Sequence, residues 1–189
     1  MCGVALDQKG FHAATDQPGG GVLVRHTRLE KAVGGLVSRW LDVRPLFEQR
    51  VPAWDRPSTR AGGAANGMEQ AVLDVEFVGP SGRMYIDVTV RHPAAGDASA
   101  VRAAARKDGV ATRRAERQKH ERYPGPLLTP FVVETPGRLG AEARFWLLTH
   151  VRQLPPEQQT KELTRAYQVV SCAVQGAVAS QLRKAAGLK

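Results

Sequence analysis

The amino-acid sequence predicts an α/β sandwich around a small mixed sheet, and three observations lead to this fold class. Two runs rich in β-branched and aromatic residues, 71–78 and 83–90, flank a Gly-Pro-Ser-Gly turn and predict a β-hairpin. Apolar residues recur at helical spacing before and after the hairpin. A strand-like segment also lies on each side of it. The predicted order is helix, strand, hairpin, helix, strand, helix and helix, which places helices on the faces of one sheet.

Composition and charge restrict the kind of protein. The chain has 189 residues, of which 42% are hydrophobic, a share typical of a globular protein. It has no apolar run of the length that a membrane span needs and no signal-peptide pattern. Its two cysteines, Cys2 and Cys172, are too few to organise the fold through disulfides, so we expect an intracellular location. The net charge of +9 favours a polyanionic partner, nucleic acid first and an anionic membrane second.

The hairpin brings two acidic residues together. A turn centred between Pro80 and Ser81 places Asp74 opposite Asp87, with about 5 Å between their Cβ atoms. The polar face of the predicted hairpin consists of Asp74, Glu76, Tyr85, Asp87 and Thr89. The apolar face consists of Leu73, Val75, Phe77, Met84, Ile86, Val88 and Val90. A one-residue slip would destroy this alternation on both strands, so the register is well specified.

Two like charges opposite each other destabilise a sheet, so the aspartate pair needs an explanation. A divalent cation between Asp74 and Asp87 would remove the repulsion, because Mg²⁺ is usually held by one or two carboxylates together with substrate phosphates. The alternative is a solvated hairpin face on which water and nearby arginines screen the two acids.

The segment before the hairpin begins with a predicted helix over residues 26–41, which carries a stripe of apolar residues at helical spacing. The pair Gly34-Gly35 weakens this helix. His26 and Glu30 lie one turn apart, so they share a face of it.

Two further strands and a loop complete the predicted sheet region. Residues 46–51 predict a short strand, and the residues 55–67, rich in Pro, Gly and Ala, predict a loop. Residues 127–135 predict a strand that contains Pro130. Because proline cannot donate a ladder hydrogen bond, it indicates an early or edge position for this strand.

The remaining segments predict helices. Residues 98–123 predict a helix or a helix pair interrupted near Asp108-Gly109, and residues 140–154 and 157–185 predict two more. The basic half of the first segment contains Arg113, Arg114, Arg117, Lys119, His120 and Arg122. The residues of 140–154 expected to face the core are Ala143, Phe145, Leu147, Leu148 and Val151.

An acid on each of two neighbouring strands, followed by a lysine-bearing helix and another strand, resembles the arrangement of the PD-(D/E)XK restriction-endonuclease-like superfamily. The narrower resemblance is to the C-terminal endonuclease domain of site-specific non-LTR retrotransposons. The residues that carry it are Leu73-Asp74-Val75, Asp87-Val88-Thr89-Val90, Lys119 with Tyr123, and the strand 130–133 with Glu134 and Gly137. It implies a restriction-endonuclease-like three-layer sandwich over residues 22–140, followed by a C-terminal helical extension over 141–189. The sequence departs from the superfamily at Leu73, where proline is frequent, and at Thr89, the position of the usual lysine.

Residues 1–21 resemble a degenerate remnant of the cysteine/histidine zinc knuckle that precedes the nuclease in this family. Cys2 and His12 match two ligands of the knuckle, the first cysteine is missing, and Asp16 stands at the last ligand position. Two ligands do not make a tetrahedral structural site, so Zn²⁺ is the weaker of the two cofactor expectations. The alternative is an inert tail.

The resemblance implies a metal-dependent endonuclease, derived from a retroelement, that nicks DNA. Asp74 and Asp87 would hold Mg²⁺, with Mn²⁺ as a substitute, and Lys119 would stabilise the charge of the reacting phosphate or orient the attacking water. Glu30 would be the helix-borne acid that some members of the superfamily add near the metal, with His26 nearby. The residues expected to contact nucleic acid are Arg113, Arg114, Arg117, Arg122 and Tyr123. The expected partner is DNA, or alternatively RNA, without a membrane or a small-molecule substrate, and the expected location is the nucleus.

Each of these residues also has a purely structural interpretation. Glu30 would be a surface charge, Lys119 one more solvated base of a basic helix, and Tyr123 a packed aromatic residue at the end of that helix. Two other functions stay open. One is a catalytically inactive nucleic-acid-binding module that retains the fold, and the other is an interaction domain that uses the long C-terminal helix as a partner surface.

Overall fold

A four-stranded mixed sheet with helices on its two faces forms the centre of the computed structural model, which describes residues 21–58, 67–79, 82–93 and 98–187. The helices are α1 (Gly21–Leu41), α2 (Ala98–Arg106), α3 (Val110–Arg122), α4 (Ala141–Val151) and α5 (Pro156–Ala185). The strands are β1 (Leu46–Arg50), β2 (Arg56–Pro57), β3 (Met68–Glu69), β4 (Val72–Gly79), β5 (Gly82–Arg91) and β6 (Leu128–Glu134). None of the described helices is both long enough and apolar enough to cross a membrane.

The order of strands in the sheet is β1-β4-β5-β6, with β6 parallel to β5 and the other pairs antiparallel. Glu76 pairs with Tyr85 and Phe77 with Met84, which confirms the predicted register of the hairpin. The parallel strand β6 follows a crossover that contains α2 and α3. β6 is an edge strand, as Pro130 indicated, so its missing N–H costs the sheet no central hydrogen bond.

The hairpin strands separate halfway along their length. Their Cα partners run from Gly79 and Gly82 to Val75 and Ile86. Beyond this last pair, β4 continues beside β1 while β5 continues beside β6. Asp74 and Asp87 are the first residues past the last pair, and we call this point of separation the fork. Glu48, the residue of β1 beside Asp74, has a φ of 51°, which a residue other than glycine rarely adopts. The distortion at the fork therefore extends across three strands.

The main core lies between the sheet and the helices α1, α4 and α5. Leu29 and Val33 of α1 pack against Ile86 and Phe131 of the sheet, and each is fully buried. Each such side chain contributes on the order of 1.5–3 kcal/mol of hydrophobic stabilisation. The helices α4 and α5 add Ala143, Trp146, Leu147, Val151, Ala166, Val170 and Val174. The segment predicted as a C-terminal helical extension thus shares its core with the sheet.

A smaller apolar cluster lies at the end of α3 and corrects one prediction. It contains Leu73, Tyr85, Tyr123 and Leu128, with the Trp54 indole packed against it. Leu73 was expected on the face of Val75, but it packs instead with Tyr85, whose side chain belongs to the opposite face. The cause is the fork, because the regular alternation of β4 is interrupted at Asp74, next to Leu73.

Two expectations about the helices have different outcomes. The helix pair is confirmed, because α2 ends at Arg106 and α3 begins after Gly109, whose φ of 68° is easily reached by glycine. The prediction that Phe145 lies in the core is wrong, because its side chain is 71% exposed. The neighbouring Trp146 is 4% exposed, and its ring stacks on that of Trp40 with 6.0 Å between the ring centroids. The helix therefore turns Trp146 inward and leaves Phe145 in solvent.

Two local elements extend beyond the sequence prediction. α1 begins at Gly21, ahead of the predicted start at His26. β2 and β3 form a two-stranded ladder at the ends of the segment predicted as a loop. Such short strands carry no periodicity that a sequence can display.

The glycine pair of α1 supplies a matched test of helix packing. A Cβ atom on Gly34 would lie 2.5 Å from the Phe47 ring, whereas no atom of the described residues lies within 4 Å of the corresponding position on Gly35. We expect Gly35→Ala to raise the free energy of unfolding by about 0.5–1 kcal/mol through helix propensity, and Gly34→Ala to lower it by about 1–2 kcal/mol because the ring must move. Urea unfolding of both variants measures this, and a stabilised Gly34→Ala would show that Phe47 adjusts freely.

Candidate active site

Asp74 lies at the fork with its carboxylate tied to the backbone of the neighbouring strand. Its Oδ2 accepts a hydrogen bond of 2.6 Å from the backbone N–H of Val88. The side chain thus takes up a donor that the separated strands leave without a ladder partner. Asp74 is 8% exposed, so its orientation is fixed by buried contacts.

Asp87 faces Asp74 across the fork and is 3% exposed. The Lys119 ammonium of α3 lies 2.5 Å from Asp87 Oδ2, although this oxygen has no hydrogen bond of regular geometry, so the contact is a close ion pair. Burial raises the pKa of Asp87 to about 7, with Lys119 opposing the rise. Asp74 adds to the raised pKa through its charge and through a hydrogen bond between the two carboxyl groups. The two predicted acids therefore meet, and Lys119 reaches them from the helix.

His26 makes the contact that the sequence did not predict. Its Nε2 lies 2.9 Å from Asp74 Oδ1, so Asp74 is held by α1 on one oxygen and by β5 on the other. The hydrogen bond to Asp74 raises the pKa of His26, and partial burial opposes this. The available signal was that His26 lies one turn before Glu30 on the same helix face.

Glu30 lies one turn further along α1 and is 2% exposed. Its Oε1 has no hydrogen-bond partner among the described residues. Burial raises the pKa of Glu30, the charge of Asp74 raises it further, and His26 opposes both. Glu30 is therefore part of the electrostatic environment of the fork, and it is not the solvated surface charge that was the structural alternative.

The chain matches no protein-family model and no curated protein at a significant level. The interpretation of the site therefore depends on its geometry and electrostatics. Three features define it: two buried carboxyl groups in contact, a lysine paired with one of them, and a histidine bonded to the other.

The two acids fit a hard cation. Asp87 Oδ2 is buried without a regular hydrogen bond, and burial raises the pKa of Asp87 although the charge of Lys119 opposes the rise. Mg²⁺ is commonly bound by one or two carboxylates, with water and phosphate oxygens as the other ligands. In the described part of the chain, no group of three or more His, Cys, Asp or Glu side chains is arranged to hold a metal. The protein would therefore supply two carboxylates and leave the other positions to substrate and water.

The predicted nucleic-acid contacts divide into two groups. Arg113, Arg114 and Arg117 are exposed on α3. Arg122 instead donates a 2.6 Å hydrogen bond to the Trp54 carbonyl, and the buried Tyr123 ring lies 5.6 Å from the Trp54 indole, centroid to centroid. Binding of nucleic acid by Arg122 and Tyr123 stays a prediction, because the contacts observed for these two residues are within the fold.

The position of the usual superfamily lysine and the lysine at the acids lie on different elements. Thr89 is half-buried on β5, and Lys119 lies at the acids although it comes from α3. The zinc-knuckle residues Cys2 and His12 lie outside the described residues.

Proposed function

We propose that the chain is a metal-dependent DNA endonuclease domain of the PD-(D/E)XK, restriction-endonuclease-like type. The observation that carries the proposal is the meeting of Asp74, Asp87 and Lys119 at the fork, with 2.5 Å between Lys119 Nζ and Asp87 Oδ2. A structural role explains this arrangement less well, because two buried acids in contact raise the pKa of Asp87 and so work against folding at neutral pH.

The order of elements supports the same proposal. A helix precedes three antiparallel strands, and the crossover that carries Lys119 leads to a parallel fourth strand. Acids on the second and third of these strands agree with the resemblance to the endonuclease domain of site-specific retrotransposons. Lys119 approaches Asp87 from α3, so its ammonium supplies the positive charge that Thr89 cannot.

The residues divide the work of hydrolysis among them. Asp74 and Asp87 would hold Mg²⁺, and its charge would polarise the scissile phosphate and favour ionisation of the attacking water. The Lys119 ammonium would stabilise the negative charge that develops on the phosphoryl oxygens. His26 would keep Asp74 in place through its 2.9 Å contact. The oxygen of a water molecule joins the phosphorus atom and the water gives up a proton. One P–O ester bond breaks, and the departing oxygen takes up a proton.

Nicking of supercoiled plasmid in the presence of Mg²⁺ or Mn²⁺ tests the proposal. We expect the wild-type protein to nick, Asp87→Asn to nick at least about 100-fold more slowly, and the protein in EDTA not to nick. Asp42→Asn is the matched control, because Asp42 is exposed and its φ of 51° is one that asparagine tolerates. Equal nicking by wild type and Asp87→Asn would contradict the assignment of the site.

A catalytically inactive DNA-binding module is the second candidate, and one observation favours it. Lys119 already neutralises part of the charge of Asp87, so the fork has a partner without any metal. In this case wild type and Asp87→Asn would bind DNA equally, with the same sensitivity to salt, and neither would nick with Mg²⁺ or Mn²⁺.

A further inference from the structure

A groove of about 340 Å³ lies between α2 and α3, on a part of the molecule that the fork does not use. Its volume is within the range of ligand sites, roughly 300–1,000 Å³. The lining residues are Ser99, Ala103, Val110, Arg113, Arg114 and Arg117. Small and apolar side chains and three guanidinium groups thus line one groove.

The charge of this groove is largely uncompensated. Arg114 and Arg117 make no ion pair or hydrogen bond with another described side chain, and both are exposed. Arg113 is partly compensated, because its charge opposes the burial-raised pKa values of Glu116 and Glu134. Residues 98–122 as a whole contain eight Lys or Arg and three Asp or Glu. The groove is therefore the centre of a strongly basic surface.

Helical geometry separates the groove from the catalytic side of α3. At 100° per residue, the groove arginines 113, 114 and 117 lie on one face and Lys119 lies on the opposite face. The helix between them, side chains included, is about 10–12 Å thick. A ligand in the groove would thus leave the fork open, and nucleic acid that reaches both would contact the groove with a segment away from the reacting phosphate.

We propose that the α2–α3 groove binds the phosphodiester backbone of DNA that flanks the nicked position. Guanidinium groups bind phosphate oxygens through paired charge-assisted hydrogen bonds, which is the chemistry that Arg114 and Arg117 present. Of the other lining residues, Ala103 and Val110 offer no side-chain donor or acceptor, and Ser99 offers one hydroxyl. We therefore expect contacts mainly with the phosphate backbone, which carry no sequence information. The choice of DNA rests on the proposed function, whereas binding in the groove needs no catalysis.

The proposed role of the groove is tested by measuring how a short fluorescent DNA duplex binds in EDTA over a series of NaCl concentrations. We expect Arg114→Ala/Arg117→Ala to raise the Kd roughly tenfold and to reduce the slope of log K against log salt by about 2. The matched control is Arg144→Ala/Arg183→Ala, which removes the same charge from exposed positions outside the groove. Arg114→Lys/Arg117→Lys keeps the charge but loses the paired hydrogen bonds, so we expect it to retain the salt dependence and to bind with an affinity between those of wild type and the alanine variant. Circular dichroism checks that each variant is folded.

Two results would contradict the proposal that the groove binds DNA. One is an equal loss of affinity in the groove and control variants, which would indicate a general effect of net charge. The other is competition by poly-glutamate as effective as that by unlabelled DNA, which would indicate a site for any polyanion. The result is separate from catalysis, because binding is measured in EDTA. Groove-dependent binding by a protein that never nicks would reject the proposed nuclease and support the proposed groove.

Discussion

Asp87→Asn is expected to raise the free energy of unfolding of the metal-free protein at pH 8, and to raise it by a smaller amount at pH 5. The folded-state pKa of Asp87, about 7, is above the ordinary value of 3.8. The folded protein therefore holds a proton on Asp87 that the unfolded chain has lost between these two values, so stability falls as the pH rises through this window. Asparagine removes the ionisation, and the gain at pH 8 is on the order of 2–4 kcal/mol.

Urea unfolding in EDTA at both pH values measures this effect. The raised pKa values of other acids, such as Glu30 and Glu116, are present in both proteins and cancel in the difference. The Lys119 side chain remains 25% exposed, so it can be hydrated after its partner is replaced. Asp42→Asn again serves as the control and should show no pH-dependent gain. A stability difference of the same size at pH 5 and pH 8 would mean that the carboxyl group of Asp87 ionises normally.

Glu162→Gln is expected to destabilise the protein by about 2–3 kcal/mol at pH 7, because Glu162 joins α5 to α1. The buried carboxylate accepts two hydrogen bonds of 2.6 Å from Arg39 and one of 3.1 Å from Trp40 Nε1. Glutamine has no charge and turns an NH₂ group toward these donors, so at least one donor loses its acceptor. Part of the cost is screened, because the Arg39 side chain is 45% exposed.

The pH dependence of this effect has a defined sign. The hydrogen bonds from Arg39 lower the pKa of Glu162 to about 2, with burial opposing. The carboxylate therefore stabilises the fold above its ordinary pKa of 4.5, and this contribution is lost as the pH falls toward 2. Thermal unfolding of wild type and Glu162→Gln should converge over that range. Glu157→Gln, in the exposed first turn of α5, is the control, and an equal destabilisation there would exclude a specific role for Glu162.

The local sequence pattern was sufficient to predict the hairpin and the closeness of its two aspartates. The alternation of residues with period two fixed the pairing of Glu76 with Tyr85, and with it the closeness of Asp74 and Asp87. The break of the helix pair followed from Asp108-Gly109, and the edge position of β6 followed from Pro130. Each of these features depends on backbone properties of neighbouring residues, which a sequence displays directly.

The features that the sequence could not display depend on tertiary contacts. The fork exists because β4 follows β1 while β5 follows β6, and this choice turned Leu73 away from its expected face. His26 reaches Asp74 only because α1 lies across the hairpin. Phe145 and Trp146 are adjacent aromatic residues, and the rotation of α4 on the sheet decided which of them is buried.

The crossover between the parallel strands has a kinetic consequence. β4 and β5 are close in the sequence and pair from Gly79 and Gly82 onward, so their acids are brought together by a local step. Lys119 lies within the long segment that leads to β6, and closing such a segment carries a larger entropic cost. The ammonium therefore reaches the acids only when distant parts of the chain dock, so the complete site and the finished sheet arise together.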